Sequence, residues 1–83
     1  MFKKGDLVRW YPDYNDNMYY ELAYFDSYAQ ENPDCCYIYK VNNTLTGWYV
    51  DNDRVKKSTS KDVDLFLEDI FTIRDEENLR EEC

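Results

Sequence analysis

The chain has 83 residues, a formal net charge of −8 and no histidine. That length fits one small domain near the lower size limit for independent folding. The missing histidine removes the commonest general base, the commonest zinc ligand and every Ser–His or Cys–His nucleophile pair. Hydrophobic residues make up 43% and aromatics 18%, with nine Tyr, four Phe and two Trp; so many rings can close a core and argue against a disordered chain. The acidic balance argues against wrapping a phosphate backbone.

No run approaches the roughly 18 apolar residues of a membrane span, and Lys3 and Lys4 lead into Gly5, Asp6 and Arg9 rather than a signal-peptide core. Cys35, Cys36 and Cys83 are odd in number and two are adjacent, which is not a disulfide framework. The expectation is reduced thiols in a cytoplasm, with Cys35 and Cys36 as small buried hydrophobes. A metal centre needs more ligands than three Cys without His supply, so neither metal nor cofactor is expected.

In chain order, Leu7–Tyr11 is a short β-rich run entered by Lys4-Gly5-Asp6, and Pro12–Asn17 is turn chemistry. Met18–Tyr28 alternates, with Met18, Tyr20, Leu22 and Tyr24 on one face and Tyr19, Glu21, Ala23 and Phe25 on the other, a strand period. Asn32-Pro33-Asp34 breaks it, and Cys35–Val41 resumes with Tyr37, Tyr39 and Val41 on one face. Asn42–Gly47 reads as a polar turn returning the chain to Trp48-Tyr49-Val50, and Asp51-Asn52-Asp53 as another turn before a last short strand at Val55. Four or five such strands predict a small barrel or a strongly bent antiparallel sheet, with closure protecting the edges. Residues 1–57 form this β unit, and residues 58–83 an acidic helical segment packed on it. Thr59 with Asp62 predicts an imperfect capping box, with Ser60 as the alternative cap, and Val63, Phe66, Leu67 and Ile70 predict the buried face of a helix over 61–70. Ile70–Ile73 suits either the end of that helix or a closing strand.

Residues 3–11, Lys-Lys-Gly-Asp-Leu-Val-Arg-Trp-Tyr, resemble the opening of small SH3-like barrels of the kind found in phage-encoded accessory proteins, and Gly47-Trp48-Tyr49-Val50 followed by Asp53-Arg54-Val55 is similar to their closing hairpin and final strand. The resemblance covers residues 3–56 and implies a fold, not an active site. The chain departs from it in having no Gly between Gly5 and Gly47.

Chemistry-bearing motifs are sparse. Two distant Gly exclude phosphate-cradling loops. Asp51, Asn52 and Asp53 resemble the start of a calcium loop, but Lys56 and Asp62 stand where Gly and Glu are required, so a plain turn is expected. Charge is placed unevenly: residues 1–60 carry a net −2 and residues 61–83 a net −6. Clustered carboxylates steer a domain toward a basic surface, and tyrosines make efficient contacts. The expectation is therefore a non-enzymatic protein-binding module; the resemblance implies a phage-type accessory factor that inhibits or redirects a host nucleic-acid-handling protein in the host cytoplasm. The partner class is a nuclease, polymerase or other protein with a basic surface. The expected contact residues are Tyr19, Tyr37, Tyr39, Trp48, Tyr49, Asp69, Asp75, Glu76, Glu77, Glu81 and Glu82, with Asp62, Asp64 and Glu68 in the same acidic set. The alternatives are a barrel that stacks single-stranded nucleic acid on its tyrosines, flanked by Lys3, Lys4, Arg9, Arg54, Lys56 and Lys57, or a structural subunit of a larger assembly.

Overall fold

The computed structural model describes residues 1–74. Alternating side chains and turn residues place strands β1 (Leu7–Trp10), β2 (Tyr19–Tyr28), β3 (Cys35–Lys40), β4 (Asn43–Asp51), β5 (Val55–Lys57) and β6 (Thr72–Arg74), with one helix, α1 (Ser60–Leu67), between the last two. All strand pairs are antiparallel, in the order β4-β3-β2-β1-β5. β2 is long enough to hold three partners: β1 opposite residues 21–24, and β3 and β6 opposite its later and earlier residues. The Ile70–Ile73 ambiguity thus resolves toward a strand, Thr72–Arg74, laid against Tyr19–Glu21.

The sheet is strongly curled. β4 and β5 lie at opposite ends of the order, four ladder steps or about 19 Å apart in a flat sheet. Yet only one 3₁₀ turn, Asn52–Arg54, joins them, and that stretch spans about 14 Å at most. The two ends must therefore approach one another. No ladder joins β4 to β5 among the described residues, so of the two expected forms the bent antiparallel sheet is the one present and the closed barrel is not. Asn43–Gly47 is likewise not a plain turn. β4 starts at Asn43 opposite Lys40, and the next pair is Gly47 with Tyr39, so Thr44–Thr46 bulge out.

Each face of the sheet has its own core. Inside the curl, Val8, Trp10, Ala23, Phe25, Cys36, Ile38, Val50 and Val55 pack together, with Phe2 and Tyr28 against them. On the outer face of β1–β2, Tyr20 and Leu22 join Ile73, roofed by Leu65, Phe66 and Phe71. Burying apolar area on both faces is how so short a chain assembles enough core.

The helix does not bury the face predicted from Val63, Phe66, Leu67 and Ile70. Of these only Phe66 packs inward; Val63, Leu67 and Ile70 are exposed, Leu67 at 73%. The inward face is Asp62, Leu65 and Phe66, with Asp62 wholly buried. That face lies one residue, about 100°, round the helix from the expected one. The cause is the Asp62 carboxylate. Arg9 Nε donates to its Oδ2 at 2.5 Å and Arg9 Nη2 to its Oδ1 at 3.2 Å, the Tyr20 hydroxyl donates to Oδ1 at 2.5 Å, and the Thr59 N–H donates to Oδ2 at 2.8 Å. The Thr59 hydroxyl accepts from the Asp62 N–H, completing the predicted capping box. Burial pushes the Asp62 pKa up, but the bonds from Arg9, Tyr20 and Thr59 outweigh it and hold the carboxyl below its usual range. The Arg9 guanidinium also lies 4.2 Å from the Tyr20 ring centroid.

The helix ends at a left-handed residue, Asp69, with φ of 62°. Asp69 N–H bonds to Phe66 O at 3.1 Å and Ile70 N–H to Leu65 O at 2.9 Å, the paired bonds of a Schellman cap that normally uses Gly.

Asp62→Asn is expected to cost about 3–5 kcal/mol in urea unfolding near neutral pH, because it strands the Arg9 charge in a buried site. Arg9→Met combined with Asp62→Leu is expected to cost less than the sum of the two single changes. Since the folded pKa of Asp62 is depressed, its contribution is present above the unfolded value near ~3.9 and lost as pH falls through the folded one; the gap between wild type and Asp62→Asn should narrow at acid pH. Asp69→Gly should raise stability by about 0.5–1 kcal/mol in the same assay, by relieving the left-handed conformation.

Candidate functional site

The β3–β4 hairpin gathers four of the expected contact residues, and the pleat divides them between two faces. Tyr37 pairs with Tyr49 and Tyr39 with Gly47, whereas Trp48 pairs with the core residue Ile38 and points the other way. On the outer face the Tyr37 and Tyr49 rings meet edge-on, with centroids 5.3 Å apart. Tyr39 lies across Gly47, where an added Cβ would meet its Cε1 at 3.3 Å. Glycine is what admits that ring.

Hydroxyls and carboxylates border this patch. Tyr37 donates to Glu31 Oε1 at 2.5 Å, which pushes its phenol up to about 12 and holds Glu31 below the usual carboxylate range. Tyr14 donates to Asp51, and Cys35 Sγ lies 3.5 Å from the other Asp51 oxygen. A hydrogen bond with Cys35, followed by burial, raises the Tyr49 phenol. Arg54 stands 4.6 Å over the Tyr14 ring, while its guanidinium donates to the Tyr11 and Asp13 carbonyls and to Asn17. Its hydrogen bonds pin the β1–β2 loop.

Trp48, on the inner face, sits at the mouth of the curl. Its ring is 5.5 Å from that of Trp10, tilted by 39°. Lys40 Nζ lies 4.9 Å from the Trp48 centroid and 5.4 Å from that of Trp10, and 3.4 Å from Glu21 Oε1. Tyr19 belongs to this second group: burial, then the Glu21 carboxylate to which it is hydrogen-bonded, raises its phenol.

Among the described acidic residues, Asp64, Glu68 and Asp69 are exposed and Asp62 is not. Asp62 was expected on an anionic surface; it is instead the buried partner of Arg9, because its cap position faces the sheet. Asp69 is exposed and serves as the left-handed helix cap. Asp75, Glu76, Glu77, Glu81 and Glu82 lie outside the described residues. Among the cations expected to flank a nucleic-acid platform, Arg9 is bound to Asp62 and Lys4 lies 3.7 Å from Asp26. Lys56 and Lys57 are exposed on β5, which pairs with β1.

Three exposed surfaces escaped the sequence reading. Leu45, 96% exposed, caps the bulge of β4; Val63, Leu67 and Ile70 form an open stripe on and just beyond α1; and the outer edge of β4 has no strand partner among the described residues. The Trp10–Lys40–Trp48 contact was also missed. No short-range signal marks it, since it joins residues brought together only by the curl. Cys35 and Cys36 are both buried, and burial pushes the Cys36 thiol up to about 11. Among the described residues no group of three or more Cys, Asp or Glu is placed to hold a metal ion, and no helix is long and apolar enough to cross a membrane. Comparison with protein-family models, with curated proteins and with solved structures finds no match.

Iodoacetamide at pH 8 should modify Cys35 and Cys36 only at the rate of unfolding, read by peptide mass spectrometry with and without urea.

Proposed function

We propose that the chain is a non-enzymatic protein-binding module whose contact surface is the β3–β4 hairpin. The observation that carries this reading is β4 itself. It is a nine-residue edge strand with no charged residue or proline before Asp51, and it holds Leu45, Trp48 and Tyr49 in the open, Tyr49 at 49% exposure. Natural sheets usually blunt such an edge with lysine, proline, a bulge or a short strand; the bulge at Thr44–Thr46 leaves Gly47–Val50 as the open stretch. β5, at the other end, is only three residues long and carries Lys56 and Lys57. An extended segment of a partner can add to the open edge through backbone hydrogen bonds while Trp48 and Tyr49 supply desolvated contacts on either face.

The net −8 of the chain favours a partner with a basic surface, such as a nuclease, polymerase or other nucleic-acid-binding protein. A phage-type accessory factor that inhibits or redirects a host protein of that kind is the biological role we infer. The Trp-bearing β3–β4 hairpin, the 3₁₀ turn after it and the short strand β5 that pairs with β1 support the SH3-like resemblance of residues 3–56. Single-strand binding is the second reading, favoured by the adjacent Tyr37 and Tyr49 rings. Glu31 and Asp51, beside those rings, oppose it by repelling phosphates.

In a pull-down from a lysate of the organism carrying the gene, the wild-type chain should capture a protein that Trp48→Ala/Tyr49→Ala does not, with affinity lowered at least about 30-fold. Replacing Glu76, Glu77, Glu81 and Glu82 by Gln should slow association and flatten its salt dependence. Equal capture by the aromatic variant would reject the hairpin. A gel shift at low salt that disappears as salt rises would favour nucleic acid instead.

A further inference from the structure

The mouth of the curl holds an arrangement that core packing alone does not require. Trp48 keeps 38% of its surface exposed, although burying an indole is among the larger apolar gains open to a small domain. Its ring and that of Trp10 form two walls of a corner, and the Glu21 carboxylate forms a third. Tyr19 lies on the same face of β2 as Glu21. Two indole faces and a fixed carboxylate are the chemistry that recognises an organic cation, because the ring quadrupole attracts positive charge where water is scarce. The corner already contains such a group, the Lys40 ammonium at 4.9 and 5.4 Å from the two rings.

We propose that the Trp10–Trp48–Glu21 corner is a binding site for a weakly hydrated organic cation, a methylated ammonium or a guanidinium, and that Lys40 is its resident plug. A primary ammonium is compact and strongly hydrated, so water compensates Lys40 for much of the ring and Glu21 contact it leaves. A methylated ammonium or guanidinium sheds water more readily and gains more from the indole faces. The side chain of Lys40 is only partly buried and its stem starts at the end of β3, next to the two-residue turn into β4. It can therefore leave without disturbing the ladder. The site goes beyond the protein-binding reading: it assigns a ligand class to the inner face and holds whether the cation is free or carried by a partner.

The test is a titration of the full chain, followed by the two indole N–H signals in nitrogen–proton NMR spectra. The probes are tetramethylammonium chloride and acetyl-arginine amide, with sodium chloride at equal ionic strength as the control. Lys40→Ala and Lys40→Gln, the second keeping most of the stem packing, should show saturable shifts of both indoles. Their apparent affinity should be about tenfold above wild type, the ratio expected for removing a competing cation held by two rings and one carboxylate. Trp48→Leu and Glu21→Gln should weaken the response. Saturation by only one probe still supports the site and tells which cation it takes. Shifts no different from those in sodium chloride, in both Lys40 variants and in wild type, would overturn the proposal. Equal affinity in wild type and both Lys40 variants would overturn the role of Lys40 as a plug. Loss of lysate capture in Trp48→Ala/Tyr49→Ala with no saturable cation response would leave the hairpin reading standing and reject this one alone.

Discussion

The rest of the structure depends on one carboxylate being more stable inside the protein than in water. Asp62 is shut off from solvent, which by itself opposes its charge, and it stays ionised because three donors converge on it. Those donors belong to three different parts of the chain: Arg9 on β1, Tyr20 on β2, and the backbone of Thr59 at the start of α1. The cap of a helix and the anchor of that helix on the sheet are therefore the same group. Moving it would release the helix start, expose an arginine against Tyr20 and open the roof over Leu22.

The curl follows from a different constraint, the short connection between the two end strands. It directs one face of the sheet inward and brings Trp10 and Trp48 together from strands three places apart in the order. The tyrosines are mostly absorbed by this geometry. Tyr20 is buried, and Tyr11, Tyr19, Tyr24, Tyr28, Tyr37 and Tyr39 are half-buried at sheet positions or their margins; only Tyr14 and Tyr49 are open to solvent. The high tyrosine content is thus largely a way of covering a thin, two-sided sheet with rings whose hydroxyls still reach polar partners.

The strands were legible because a period of two with aromatic residues has few other meanings, and Thr59 with Asp62 was legible as a cap because that motif is local. What the sequence concealed was long-range. Asp62 was assigned to an acidic surface because a carboxylate on a helix is usually solvated; its neutralising partner is 53 residues away. The same fact misplaced the helix face, since a buried acid displaced Val63 and Leu67 from the side where an apolar count would put them. The bulge in β4 was read as a turn because Asn, Thr and Gly favour turns, whereas pairing with β3 on both sides of Thr44–Thr46 keeps the segment in the sheet. Half of the candidate site, the tyrosines and Trp48 of the hairpin, was found from composition, but its division between two faces needed the register.

The distance along the chain between Arg9 and Asp62 has a consequence for synthesis. Hairpins among the first four strands can zip up from neighbouring residues while the ribosome is still adding the remainder, because their loops are short. The outer side of the first strand cannot settle then: its guanidinium has no counter-ion in place until residue 62 has emerged. Nascent chains halted before that point should hold a sheet with one finished side and one side still wet. The last third of the polypeptide then acts as the step that commits the molecule to its final state.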